Sequence, residues 1–214
     1  MEIDDTQADR RQGKKPRWVE AKICLAHQPG SRTLIFGGTL QGDVDKAGQN
    51  LFDCAVGAGF GTGTPIHGVG DGAQWIADQI EEKFGAQSSY LVDFFHVCEY
   101  LGAVSKAIVG EEKEQVKWMD KQRERLKANQ ANEVLQEPKA HLEAPEIQDI
   151  DAPVRQCHRY LHNRQEQLNY QDAIKRNLPI GSGEIESAHR YIPSSTVACR
   201  LLINNRKNVP LQTL

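Results

Sequence analysis

Trp18-Val-Glu-Ala-Lys-Ile-Cys-Leu-Ala-His27 alternates in part between apolar and polar residues, and Thr33-Leu-Ile-Phe-Gly37 forms a second apolar run. The two flank Gln28-Pro29-Gly30-Ser31, so the pattern predicts a β-hairpin. After Asp43 the period lengthens. Val44, Ala47, Leu51, Phe52, Ala55 and Val56 recur at helical spacing, with Asp43 as N-cap, and Gly57, Gly59, Gly61 and Gly63 end the helix. That glycine cluster lacks both the Gly-Lys-Ser/Thr ending and the Gly-x-Gly-x-x-Gly spacing of phosphate-binding loops. A short apolar run, Ile66-His67-Gly68-Val69-Gly70, leads through Asp71 into a helix from about Ala73 to Phe84, whose Trp75, Ile76, Ile80 and Phe84 share one face. Ser89-Tyr-Leu-Val-Asp93 reads as a buried strand and Phe94 onward as the next helix.

The resulting order is hairpin, helix, strand, helix, strand, helix. It predicts an α/β fold, a mixed sheet with helices packed on it, over residues 18–109. From Gly110 to Asn177 the pattern changes to long charged stretches with sparse apolar anchors: Val116, Met119, Leu126, Val134, Leu135, Val154, Tyr160, Leu161, Leu168 and Ile174. This predicts an all-helical insertion, with Pro138, Pro145 and Pro153 marking a loop between helices. Residues 1–17 read as a flexible basic lead-in, 178–191 as the start of a helix bearing Glu186, and 192–214 as an irregular tail.

Composition narrows the function classes. The 214 residues are 39% hydrophobic and 26% charged, enough to bury one core. No apolar run approaches the roughly 20 residues that cross a bilayer, and Met1-Glu2-Ile3-Asp4-Asp5 is acidic, unlike a secretory leader, so a cytoplasmic protein is expected. The five cysteines are far apart with no Cys-x-x-Cys pair, which argues against a zinc ribbon or a disulfide framework. A net charge of −3 leaves any nucleic-acid surface local. Arg10, Arg11, Lys14, Lys15 and Arg17 fall within eight residues, and nothing after Glu186 is acidic. They are candidate nucleic-acid contacts, with a solvated charge run as the alternative. Between Glu111 and Asp151 acids outnumber Lys and Arg by 11 to 7, which excludes that stretch as a DNA clamp.

Two motifs carry candidate chemistry. Asp71 ends a strand and opens a helix, the position where open α/β sheets collect active-site groups. Pro179-Ile-Gly-Ser-Gly-Glu-Ile-Glu186-Ser sets a carboxylate on the first turn of a predicted helix. If that helix folds back onto the sheet, Glu186 approaches Asp71, and two such carboxylates repel unless they share a hard divalent cation, Mg²⁺ or Mn²⁺. Each residue has a plain structural alternative: helix capping for Asp71, a favourable first-turn charge for Glu186. Cys157-His158 with His162 puts two imidazoles on one helix face without an evident third ligand.

Gly70-Asp71-Gly72-Ala73 followed by Trp75-Ile76, then Leu91-Val-Asp93-Phe-Phe-His96-Val-Cys-Glu99, then Pro179-Ile-Gly-Ser-Gly-x-x-Glu186-Ser, resembles insertion-sequence transposases of the ISKra type. These belong to the DDE class, in its Mutator-like branch, and the resemblance runs from about Val19 to Tyr191. It implies an RNase H-like mixed sheet flanked by helices and metal-dependent cleavage and transfer of DNA strands. Two ions about 3.5–4 Å apart there clamp the attacking and leaving oxygens. By resemblance Asp71 is the second and Glu186 the third metal carboxylate. Asp93 and His96 match an Asp-x-x-His pair that shapes the site or donates to phosphate, with a buried structural pair as the alternative. DNA, as element ends and target, is the implied partner, together with an intact transposase or a second copy.

The chain departs from this family at both ends. The family's first catalytic Asp, on an initial strand and followed by Gly, has no counterpart. Asp4 and Asp5 stand nearest, with no apolar strand before them and no glycine after. The expectation is a truncated site without its first strand, inactive as this chain, with two sheet edges left open. Beyond Tyr191, Ile192-Pro193 breaks the family's helix, and a frameshift over 192–214 is the expected cause. The alternative is a non-catalytic module that binds nucleic acid or pairs with a transposase.

Overall fold

The computed structural model describes residues 21–40, 42–183 and 196–203. Residues Ala21–His27 (β1) and Ile35–Leu40 (β2) form the hairpin. They pair antiparallel, Cys24 opposite Gly37, around a turn in which Gly30 takes φ +73°. The second strand begins two residues later than its apolar run and continues through Gly38-Thr39-Leu40. Helix α1 (Val44–Gly57) starts where Asp43 accepts from Lys46 N at 2.8 Å and stops before Gly59, at φ +100°. Then come β3 (Ile66–Gly70), α2 (Gln74–Phe84), β4 (Ser88–Val92) and α3 (Phe94–Ile108). Residues 112–175 hold α4 (Glu112–Lys127), α5 (Ala131–Lys139), α6 (Pro153–His162) and α7 (Tyr170–Lys175). A last strand, β5, spans Thr196–Ile203.

The fold is α/β, with a mixed five-stranded sheet ordered β2-β1-β5-β3-β4. β3 and β4 are parallel, as a crossover through α2 requires. β5 lies between the hairpin and this pair, parallel to β1 and antiparallel to β3. Two expectations are corrected here. The segment 192–214 is not irregular throughout, because Thr-Val-Ala-Cys-Arg-Leu-Leu-Ile is rich in the apolar and β-branched residues that strands favour. The facing edges of β1 and β3 are not left open, because β5 pairs with both.

Helices cover both faces of the sheet. On one, Leu51, Cys54 and Ala55 of α1 and Ile76, Ile80 and Phe84 of α2 pack with Cys24, Ala26 and Ile66. On the other, Val69, Leu91 and Val92 share one core with α3 and with the helices after it. The charged helical segment is therefore continuous with the sheet's own core. Of its expected anchors, Val116 and Ile174 stay exposed while the other eight are buried. The prolines punctuate the loop between α5 and α6, with Pro145 inside it. Pro138 lies in the last turn of α5 and Pro153 opens α6, where its missing N–H costs nothing. Glu137 joins α4 to α5 by accepting from Trp118 Nε1 at 3.0 Å and pairing with Lys121 at 3.1 Å and with Arg125. Among the described residues no helix is long and apolar enough to cross a membrane.

Candidate active site

β3 and β4 end side by side. Gly70 is paired with Val92, so Asp71 and Asp93 are the first residues past the carboxyl ends of two adjacent parallel strands. Asp93 N donates to Gly70 O at 2.7 Å, closing the ladder between them.

The Gly70-Asp71-Gly72 turn owes its shape to its neighbours. A Cβ on Gly70 would lie 2.9 Å from the Tyr90 hydroxyl. Gly72 takes φ +84°, and a Cβ there would stand 2.5 Å from the Tyr160 hydroxyl and 2.8 Å from Arg164 Nε. Glycine meets both demands, of angle and of space. Three side chains hold the turn's backbone: Tyr160 donates its hydroxyl to Asp71 O at 2.7 Å, Arg164 Nε donates to Gly72 O at 2.5 Å, and Gly72 N donates to the Tyr90 hydroxyl at 3.1 Å. Asp71 Oδ1 accepts from Ala73 N at 2.9 Å; Oδ2 takes no part in the turn. The side chain is only half-buried.

Tyr160 is itself fixed. Its ring stacks on Tyr100 with centroids 4.2 Å apart, His96 meets it edge-on at 5.8 Å, and the Arg164 guanidinium lies 4.2 Å from its centroid. Burial pushes its hydroxyl pKa up, and Tyr100, Asp71 and Asp93 add to the rise against the pull of Arg164. It therefore stays protonated and remains a donor to Asp71 O. The helical segment thus sets the position of the β3 end.

Asp93 is 6% exposed and saturated with donors. Its Oδ1 accepts from Phe95 N at 2.7 Å and His96 N at 3.3 Å, capping α3. Its Oδ2 accepts from Ser182 N at 2.7 Å and from the Ser182 hydroxyl. Alongside, Phe94 N donates to Ile180 O at 2.8 Å and His67 Nε2 to Pro179 O at 2.9 Å. A Cβ on Gly181 would come within 2.7 Å of the Phe95 ring, so glycine lets the strap lie flat. The Pro179-Ile-Gly-Ser stretch, remote in sequence, is bound to the end of β4 and, through His67, to the start of β3.

His96 touches Asp93 only through its backbone N–H. Its imidazole Nδ1 stands 3.1 Å from Glu99 Oε2, at the surface. The two residues of the Asp-x-x-His pair are brought together by helix capping and their side chains point to different partners. Glu186 and the lead-in cations Arg10, Arg11, Lys14, Lys15 and Arg17 lie outside the described residues, as do Asp4 and Asp5. On α6 the His158 and His162 rings are nearly parallel at 6.0 Å. Burial, His162 and Lys139 lower the pKa of His158. Cys157 faces the core, where burial pushes its thiol up to about 12. Among the described residues no group of three or more His, Cys, Asp or Glu is placed to hold a metal.

Tyr90, Tyr160 and Arg164 were not legible as site residues. The last two lie 89 and 92 residues from the carbonyls they hold, and nothing in their own neighbourhood marks that contact. No protein-family model matches the chain, and comparisons with curated proteins and with solved structures give no significant match.

Proposed function

We propose that this chain derives from a DDE transposase, an enzyme of metal-dependent DNA strand cleavage and transfer, and that as it stands it does not catalyse that reaction. The observation that carries the reading is the strap on Asp93. Ser182 is bonded to the end of β4, next to the strand end that bears Asp71. Glu186 follows four residues later, a stretch of chain spanning at most about 14 Å. The two motifs that the resemblance pairs as metal carboxylates are therefore tied into one neighbourhood.

In this reading the sheet is RNase H-like, and β5 takes the central place between the hairpin and β3-β4 where the family's first strand belongs. Asp71 and Glu186 would be the ligands of Mg²⁺ or Mn²⁺. Asp71 suits that role because one carboxylate oxygen is left over from its turn. Asp93, with all its acceptor positions engaged, acts as a positioning residue, and His96 faces the surface beside it. The family's first aspartate has no motif counterpart in the sequence, and a pair of carboxylates holds a catalytic pair of ions poorly. DNA remains the partner, held by the lead-in cations, in a cytoplasmic protein.

Two measurements on this chain and on Asp71→Ala test the reading. DNA binding should weaken steeply with salt, as phosphate contacts do; its absence at low salt would remove the transposase reading. Nicking of supercoiled DNA in Mg²⁺ or Mn²⁺ should not rise above background. Nicking that Asp71→Ala abolishes would show a complete site and overturn the proposed inactivity.

A further inference from the structure

Two thiols meet between the hairpin and α1. Cys24 on β1 is 5% exposed and Cys54 on α1 is 4% exposed, with Sγ atoms 3.7 Å apart. Gly37 lies opposite Cys24 in the β1-β2 register. An ideal Cβ at Gly37 would fall 2.6 Å from Cys54 Sγ and 3.0 Å from Cys24 Sγ. The glycine is therefore what lets α1 settle on the strand pair until sulfur meets sulfur. Asn50 Nδ2, one helical turn before Cys54, donates to Gly38 O at 3.0 Å and holds the helix at that height. A narrow cleft is lined in part by Lys22, Cys24, Ala47, Trp75 and Ile76.

We propose that Cys24 and Cys54 form a disulfide on exposure to a small hydroperoxide. The Cys24 sulfur takes one oxygen of hydrogen peroxide as the O–O bond breaks, giving a sulfenic acid and one water. The Cys54 sulfur then attacks the Cys24 sulfur and displaces the hydroxyl as a second water. Two thiols and one peroxide thus give one disulfide and two waters, the thiol protons ending in the waters. The sulfurs must close by about 1.7 Å to reach bonding distance. Cys98 and Cys157 pack in the core on the other face of the sheet, and burial raises both thiols, so neither competes.

The test treats the intact chain with hydrogen peroxide, then denatures and alkylates it with N-ethylmaleimide. The expected product has lost two hydrogens, and its non-reduced digest joins the Cys24 and Cys54 peptides while Cys98 and Cys157 are alkylated. Dithiothreitol should reverse the link. In Cys54→Ser, Cys24 should stop at the sulfenic acid, trapped by dimedone. Several results would overturn the proposal. One is full alkylation of all five cysteines. A second is a link from Cys24 to Cys199, its backbone neighbour in the β1-β5 register. A third is a Cys24-Cys54 link that forms only after Cys98 and Cys157 have reacted.

Discussion

The ends of β3 and β4 read almost alike in sequence: an apolar run, an aspartate, then a helix. Their carboxylates are used in opposite ways. At β4 the carboxylate itself does the structural task, taking N–H groups of α3 with one oxygen and binding Ser182 with the other. At β3 the task falls to groups brought from elsewhere. Tyr160, Arg164 and Tyr90 hold the carbonyl of Asp71 and the backbone of Gly72, and Asp71 spends one oxygen on its own turn. A strand-end aspartate thus keeps a carboxylate oxygen outside its turn where other residues have taken over the shaping of that turn. Where none have, the carboxylate is consumed.

The contrast predicts unequal costs. Asp93→Ala removes the acceptor of the Phe95, His96 and Ser182 N–H groups in a part-buried place and should cost about 2–3 kcal/mol. Asp71→Ala gives up one local hydrogen bond at a half-exposed position and should cost about 1 kcal/mol or less. Urea midpoints of the two variants against the parent read the difference. Equal losses would mean that the two ends are equivalent after all.

The glycines sharpen it next. Gly72→Ala forces a side chain into a left-handed angle and onto Tyr160, which is locked between Tyr100 and Arg164; about 2–3 kcal/mol is expected. Gly181→Ala meets the Phe95 ring, which is 60% exposed and can swing aside, so about 1 kcal/mol should suffice. Thermal midpoints of the two variants would put them in that order if the β3 turn is the more rigid of the two.

Both strand ends could be located from local pattern because each element there is specified within its own stretch. Asp43 caps α1, the apolar spacing of Trp75 to Phe84 gives α2, and short apolar runs give β3 and β4. What could not be read was set by contacts across the fold. β1 alternates only in part between apolar and polar residues, yet residues 22–27 are all buried, with β1 between β2 and β5 in the sheet and under α1. β5 went unread because Pro193 drew the reading toward a broken helix, although the eight residues after Ser195 suit a strand. The clamp on Asp71 depends on a tyrosine and an arginine that resemble ordinary members of an amphipathic helix and the turn after it. Asp93 showed the reverse problem, a motif match whose carboxylate turned out to be fully engaged by backbone and by Ser182.

Tyr160→Phe asks how much of the β3 turn depends on the clamp. It removes one hydrogen bond and leaves the aromatic stack, so about 1 kcal/mol is expected. Hydrogen exchange of the Gly72 and Ala73 amides should quicken while that of Phe95 and His96 stays unchanged. Faster exchange at both strand ends would mean that Tyr160 supports the sheet as a whole rather than the Asp71 turn.

Glu137 supplies the mildest test, because it is a tied-down carboxylate held by the cations Lys121 and Arg125 as well as by the neutral Trp118 N–H. Burial works against its charge, but donors from Arg125 and Lys121 outweigh that and lower its pKa to about 2. A carboxylate held below its unfolded value near 4.5 stabilises the fold fully above about pH 4.5 and loses that contribution as pH falls toward about 2. Glu137→Gln should therefore cost about 1 kcal/mol at pH 7, given the part-exposed position. The gap to the parent should narrow between pH 4.5 and 2, and at pH 7 it should shrink in high salt. The Asp93→Ala gap at pH 7 should not respond to salt, since neutral donors hold that carboxylate. If salt moved the Asp93 gap as much as the Glu137 gap, the β4 cap would be electrostatic in origin and the contrast with the β3 turn would have to be recast in terms of charge.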